Sequence, residues 1–381
     1  MRWGLGGGVA LAALAVWCGA GDRASAQSVR PLQVTVGGYM EQSFGFARNA
    51  RGVRTSQARQ TGFTSVVLQN PNRFGQQSDT EIWFSGRTTL GNGMVVGFKV
   101  ELEGNSQFND QIDESFLFVD GAFGRLVLGS ENDAAYLQHV SAPRPRNGWG
   151  VLESAVTGWV YTPRDAYVLT TTAPLTTGDD QKITYFSPRL AGLQFGASLT
   201  PNDKQDAREF SDRDRDRTNV WTVSANGRWE LEGVAFQGSV GWVHGGGVPK
   251  ASFADRRTAI DDWAVGGLLS YQDWAVGAGY RRLRNPEGAL DGRAFAAGIT
   301  RNWAGAAFGA SWLRSRSAGL VRTPGHDRGD IVLVSAAYPV ARGVALIGSA
   351  FTARYDVGQT TKGREDRNRG VGVVTGIRLA F

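Results

Sequence analysis

The chain has 381 residues, a formal charge of +6, a mean hydropathy of -0.25, 52 Gly, 12 Trp, 19 Phe, 9 Tyr and a single Cys. Such a length holds two soluble domains or one large barrel. No apolar run beyond the N-terminus is long enough for a transmembrane helix, which leaves a membrane open, because alternating barrel strands average out as polar.

Residues 1–26 read as an export segment. Arg2 supplies positive charge, residues 5–16 are apolar, and Ala24-Ser25-Ala26 offers a small-residue cleavage site before Gln27. Cys18 lies inside this segment, where bulky Val16 and Trp17 argue against a lipid anchor. The mature part, residues 27–381, then has no disulfide, thiol chemistry or Cys-ligated metal. Losing Arg2, Asp22 and Arg23 lowers the formal charge from +6 to +5. Acids and bases are interleaved, and no basic cluster with aromatics points to nucleic acid.

From Val34 the chain alternates: Val34, Val36, Met40, Phe44 and Phe46 stand against Thr35, Gly37, Tyr39, Glu41 and Ser43. Residues 48–78 carry no periodic pattern and read as a polar segment. A hairpin follows. Ile82, Phe84 and Thr88 share a face with Val96, Phe98, Val100 and Leu102, across a turn containing Asn92-Gly93. Glu81, Trp83, Ser85, Arg87, Lys99, Glu101 and Glu103 make the other face. The unit recurs over 115–130, 182–199, 220–242, 263–280, 295–312 and 331–355, with turns at Pro188-Arg189, Glu232-Gly233, Gln272-Asp273 and Trp303-Ala304 among them. Around Ile331 and Val344 both faces are apolar, so facing is unreadable, and cover by another subunit is one explanation. The last strand sets Val371, Val373, Thr375, Ile377, Leu379 and Phe381 against Gly372, Gly376 and Arg378. Its edge needs a partner, and the first strand is the natural one.

These hairpins with the first and last strands give about sixteen strands, an even number as barrels need. Long polar segments (48–78, 104–111, 132–180, 201–216, 245–257, 285–288, 315–328, 356–369) alternate with the tight turns. Short turns on one rim and long loops on the other predict an all-β transmembrane barrel. Trp and Tyr near strand ends, such as Trp229, Trp242, Trp274 and Trp303, suit interfacial girdles.

The segments 36–39, 90–93 with 100–104, 123–129 and 183–196, together with the terminal Phe381, resemble the Gram-negative general porin family, especially its alphaproteobacterial trimeric branch. The resemblance implies a homotrimer of water-filled barrels in the outer membrane, in contact with lipid and lipopolysaccharide. It also implies a third long loop folded inward, and a C-terminal aromatic strand read by the outer-membrane assembly machinery. The third long segment, about fifty residues, exceeds ordinary loop lengths. Its Tyr136, Trp149, Trp159, Tyr161 and Tyr167 make it too aromatic for a disordered tail.

Strand parity places Arg87, Lys99, Arg125, Arg281, Glu41 and Glu101 on the water-facing wall, with Arg228 and Arg378 nearer the short-turn rim. The loop opposite contributes Glu131, Asp133, Glu153 and Asp165 against Arg144, Arg146 and Arg164. Such a site passes small hydrophilic solutes by diffusion, without a cofactor, and the basic balance favours anions weakly. Catalysis has little support: His139, His244 and His326 stand in no nucleophile or metal motif. The alternating run Asp212 to Arg217 reads as a self-paired loop. A general diffusion channel is the leading function. A substrate-selective channel and a plugged structural or adhesive barrel are the alternatives.

Overall fold

The computed structural model describes residues 31–381 except 59–63, 70–71, 105–110, 153–157, 165, 203–217, 246–259, 285–290, 319–324 and 359–365. The expected export segment, Glu153, Asp165 and the run from Asp212 to Arg217 therefore lie outside the described residues.

The wall begins with β1 (Gln33–Arg48), β4 (Phe74–Thr89), β5 (Val95–Glu103), β6 (Ile112–Gly121) and β7 (Gly124–Ser130). It continues with β8 (Gln181–Phe186), β9 (Leu193–Asn202), β10 (Thr218–Leu231), β11 (Val234–Gly245), β12 (Ile260–Tyr271) and β13 (Trp274–Arg284). The remainder is β14 (Gly292–Trp303), β15 (Ala306–Ser317), β16 (Asp327–Ala341), β17 (Val344–Asp356) and β18 (Arg367–Ala380). Each strand pairs antiparallel with its neighbours, and β1 closes on β18, making a 16-strand barrel. Closure sets Glu41 opposite Arg378 and Phe44 opposite Thr375, and the Phe381 backbone exchanges two hydrogen bonds with Gly38. An antiparallel barrel leaves no edge N–H or C=O unpaired, which a lipid environment demands.

The segment 48–78, read as patternless, is corrected in two places. It holds a separate two-stranded sheet, β2 (Val53–Ala58) with β3 (Thr64–Gln69), and β4 starts inside it at Phe74. Between Phe74 and Thr80 both faces of β4 are polar, so no alternation shows there; pairing with β1 makes the strand. The turn 232–233 has positive φ at both residues (50° and 78°), as a two-residue hairpin needs. The turn expected at Trp303-Ala304 sits one residue later, where Ala304 and Gly305 carry the positive φ values.

The apolar set of each strand faces outward: Val223, Val240, Val265, Leu269 and Val276 are exposed, while the inward Thr222, Ser224 and Asn226 are buried. The doubly apolar strands β16 and β17 have a different cause from the one expected. Their inward Ile331, Leu333, Ile347, Phe351 and Tyr355 pack against Trp149, Val151, Trp159 and Val160 of the segment 131–180, which lies inside the barrel. A fold of the same chain, and not a second subunit, covers that face.

Candidate functional site

The segment 131–180 is built onto the inner wall residue by residue. Asp133 starts the short helix α1 (Ala134–Leu137), its Oδ1 accepting from the N–H groups of Ala135 (2.9 Å) and Tyr136 (3.0 Å). The Thr177 hydroxyl donates to the other Asp133 oxygen (3.2 Å), so both ends of the segment meet on one carboxylate.

From there the chain follows inward hydroxyls around the barrel. The Ala134 N–H donates to Ser198 Oγ (2.9 Å), Val140 N–H to Ser239 Oγ (2.8 Å) and Val151 N–H to Ser311 Oγ (3.2 Å). Asn226 Nδ2 donates to the Gln138 carbonyl (3.0 Å), and the Ser335 hydroxyl to the Trp149 carbonyl (2.7 Å). The wall thereby supplies the partners that an irregular backbone at membrane depth requires. Inward glycines sit where the approach is closest. A Cβ on Gly266 would coincide with the Val140 carbonyl, and one on Gly277 would lie 2.6 Å from the Ser141 oxygen.

On the far side Trp149 Nε1 donates to Glu41 (2.7 Å), and the Tyr167 N–H donates to Asp327 (2.7 Å). The return limb is tied by the Thr176 hydroxyl to Asp262 (2.6 Å), a carboxylate clamped by Arg281 Nε and Nη2 (3.0 and 2.7 Å). Buried, paired charges of this kind fix position more than they add net stability.

The expected charges divide accordingly. Glu41, Asp133 and Arg281 are buried structural ties. Glu41 also lies 3.4 Å from Arg378, whose guanidinium stands over the Tyr39 ring (4.0 Å). Lys99 joins Glu101 and Glu114 (2.7 Å to the latter). Arg125 is 3.6 Å from Asp120 and 4.2 Å from the Phe118 ring, beside the short turn, and Arg87 is likewise two residues from the short-turn end of β4. Both therefore lie at the short-turn ends of their strands. Arg144, Arg146 and Arg164 are exposed on the segment.

Parity put Glu81 on the water-facing side but not among the constriction charges, and it missed Asp79 and Glu114. Tyr39 donates to Glu81 (2.7 Å) and Asp79 (3.1 Å) from the wall. At the neck of the inward segment, oxygens of Glu114, Glu131 and Asp179 lie within 4.8 Å of one another. Burial, then the neighbouring Glu114, pushes the Glu131 carboxyl up to about 8. Burial, then Asp113 and Glu114, pushes Asp179 up to about 7. The Lys182 ammonium caps the same neck through the carbonyls of Glu131, Asp180 and Gly178 (2.8 Å to the last). His139 is buried against the Thr172 hydroxyl (3.0 Å), and burial lowers its ring to about 4, which keeps it neutral. His244 pairs with Asp261 (2.8 Å) on the outward face of β11.

A barrel of this size with an inward constricting segment is a channel architecture, and the sequence pattern described as Gram-negative porin matches residues 10–360. The chain belongs to the Gram-negative porin family. The fold is similar to an anion-selective porin from Comamonas acidovorans (TM-score 0.58, 13% identity, 92% of this chain and 100% of that one). It is also similar to a loop-deleted OmpT, an outer membrane protein of Vibrio cholerae (0.59, 12%, 92% and 99%), and to the outer membrane channel DcaP of Acinetobacter baumannii (0.60, 12%, 92% and 97%). No curated protein matches the sequence. This porin is an outer-membrane diffusion channel, spanning the bilayer with its strands.

Proposed function

We propose that this porin passes small hydrophilic solutes and ions passively, as a homotrimer, with residues 1–26 removed on export. The observation that carries the reading is the inward segment. It is fixed to the wall by Ser198, Ser239, Ser311 and Ser335, and so narrows the lumen as a permanent part of the barrel. Flow needs no cofactor and no catalytic step. The exposed Phe381 ring, beside its backbone pairing with Gly38, supports recognition of this end by the assembly machinery. Single-channel recording in planar bilayers tests the reading. Open steps with a linear current–voltage relation and conductance proportional to bulk salt are expected; electrical silence of folded protein overturns it.

A substrate-selective channel is favoured by one feature, a cavity of about 430 Å³ on the inward segment. Tyr136, Tyr167, Thr162, Thr170, Leu152 and Leu175 line it, and no charged residue does. Saturable solute flux that a competitor blocks supports this second reading, and flux linear in solute concentration excludes it.

A further inference from the structure

The register of β13 to β16 sets arginines side by side on the outward face of the barrel, at the long-loop ends of these strands. Arg282 stands opposite Arg293, Arg293 opposite Arg316, and Arg316 opposite Arg328. Parity turns all four away from the buried inward set, which includes Leu283, Ala294, Ser315 and Ile331. Like charges directly opposite one another in a ladder repel, and here the repulsion is repeated from strand to strand.

The nearby carboxylates relieve only one end of the row. Asp291 pairs with Arg282 (2.7 Å), while Asp330 is taken by Arg314 and Asp356 by Arg354 (2.6 Å each). Arg293, Arg316 and Arg328 have no carboxylate partner among the described residues. Arg316 Nε is shut off from solvent and lacks an acceptor, a costly state for a charged donor.

These three arginines share a hollow of about 440 Å³ with Tyr280 and Phe295. Toward the middle of the same strands the outward residues are aromatic and then apolar. Phe295 meets Trp312 edge-on (5.6 Å), and Val276, Ile299 and Val334 follow, all exposed. Rings bordering an apolar band mark the level of lipid headgroups, here on the long-loop, outer side.

We propose that Arg293, Arg316 and Arg328 seat a phosphate group of an anionic lipid of the outer leaflet. Guanidinium groups present planar forks of donors that match phosphate oxygens. One phosphate among three of them converts repulsion within the row into attraction, and it gives the Arg316 Nε–H its acceptor. Position selects a lipid over a dissolved anion. The hollow lies on the bilayer side of the wall, beside rings that border the acyl region, and a solute crossing the lumen does not meet it. The seat is therefore independent of what the channel passes.

The test uses the purified protein in an uncharged detergent, titrated separately with phosphatidic acid, phosphatidylcholine and inorganic phosphate. The readout is the temperature at which the barrel loses its heat-resistant gel mobility. Phosphatidic acid is expected to raise that temperature in the parent. Phosphatidylcholine, whose phosphate is balanced by its own cation, and inorganic phosphate are expected to leave it unchanged. Arg316→Gln is expected to need about tenfold more phosphatidic acid for the same rise, the loss of one charge-assisted bond. Without lipid it unfolds no earlier than the parent, because a repulsive neighbour has gone. Arg328→Gln repeats the measurement from the adjacent strand. Arg301→Gln, on the outward face of β14 near its short turn, keeps the parent's lipid response. Equal responses to phosphatidic acid in the parent, Arg316→Gln and Arg328→Gln overturn the seat. An equal rise with phosphatidylcholine or inorganic phosphate overturns the anionic lipid as its occupant. A fall in the oligomer size of Arg316→Gln on sedimentation puts a second copy of the chain on the row, and overturns the lipid likewise.

Discussion

Glu131 shows how one side chain ties the channel to pH. Its carboxyl and that of Asp179 are raised to about 8 and about 7, so both hold protons in the fold where an unfolded chain, titrating near 4, has lost them. The unfolded state then binds fewer protons between roughly pH 4 and 8, and stability falls as pH rises through that window. Hydrogen-exchange protection factors across residues 131–180, with the base-catalysed intrinsic rate divided out, are expected to fall from pH 5 to pH 9 in the parent and to change much less in Glu131→Gln. An equal fall in both proteins would remove Glu131 from the account. Trp149 supplies a second case. Its indole N–H bonds the buried Glu41, a charge-assisted contact of about 1.5–3 kcal/mol. Trp149→Phe is therefore expected to loosen residues 145–152 in the same exchange measurement, by about tenfold or more. Protection equal to the parent's would show that Arg378 alone satisfies Glu41.

At the scale of elements, the inward segment was legible from its length and aromatic content, but its path was not. The Ser198, Ser239, Ser311 and Ser335 hydroxyls look like ordinary water-facing residues of their strands. Nothing local distinguishes a hydroxyl that meets solvent from one that meets a backbone N–H. Gly266 likewise reads as an unremarkable strand glycine until the Val140 carbonyl is found against it. Gly266→Val is expected to push the segment off β12 toward the pore axis and lower unitary conductance, with heat-modifiable mobility confirming a closed barrel. Parent conductance from that closed barrel would mean the segment yields elsewhere. The doubly apolar β16 and β17 gave a real signal with the wrong occupant attached, since periodicity reports that a face is covered and not by what.

At the scale of the molecule, the overall basic balance predicts weak anion preference, while the charge facing the lumen is of both signs. Asp79, Glu81, Glu101, Glu103 and Glu114 face inward from β4, β5 and β6, with Lys99 engaged by members of that set, and Arg144, Arg146 and Arg164 are exposed on the inward segment. Selectivity follows the charges lining the narrow part, not the sum over loops and rims. Under a salt gradient, Glu81→Gln/Glu103→Gln is expected to shift the reversal potential toward anion preference relative to the parent. An unchanged potential would show that these wall acids do not govern ion flow.

The order of the wall strands, their alternating faces and the pairing of first with last were determined by the sequence, because each follows from local period and from the need to leave no sheet edge in lipid. The inward fate of the long segment was implied by the family resemblance. Tertiary structure alone decided which inward charges come together and which are consumed as ties. Those outcomes depend on contacts between residues as far apart as Glu41 and Trp149, where no short-range pattern can reach.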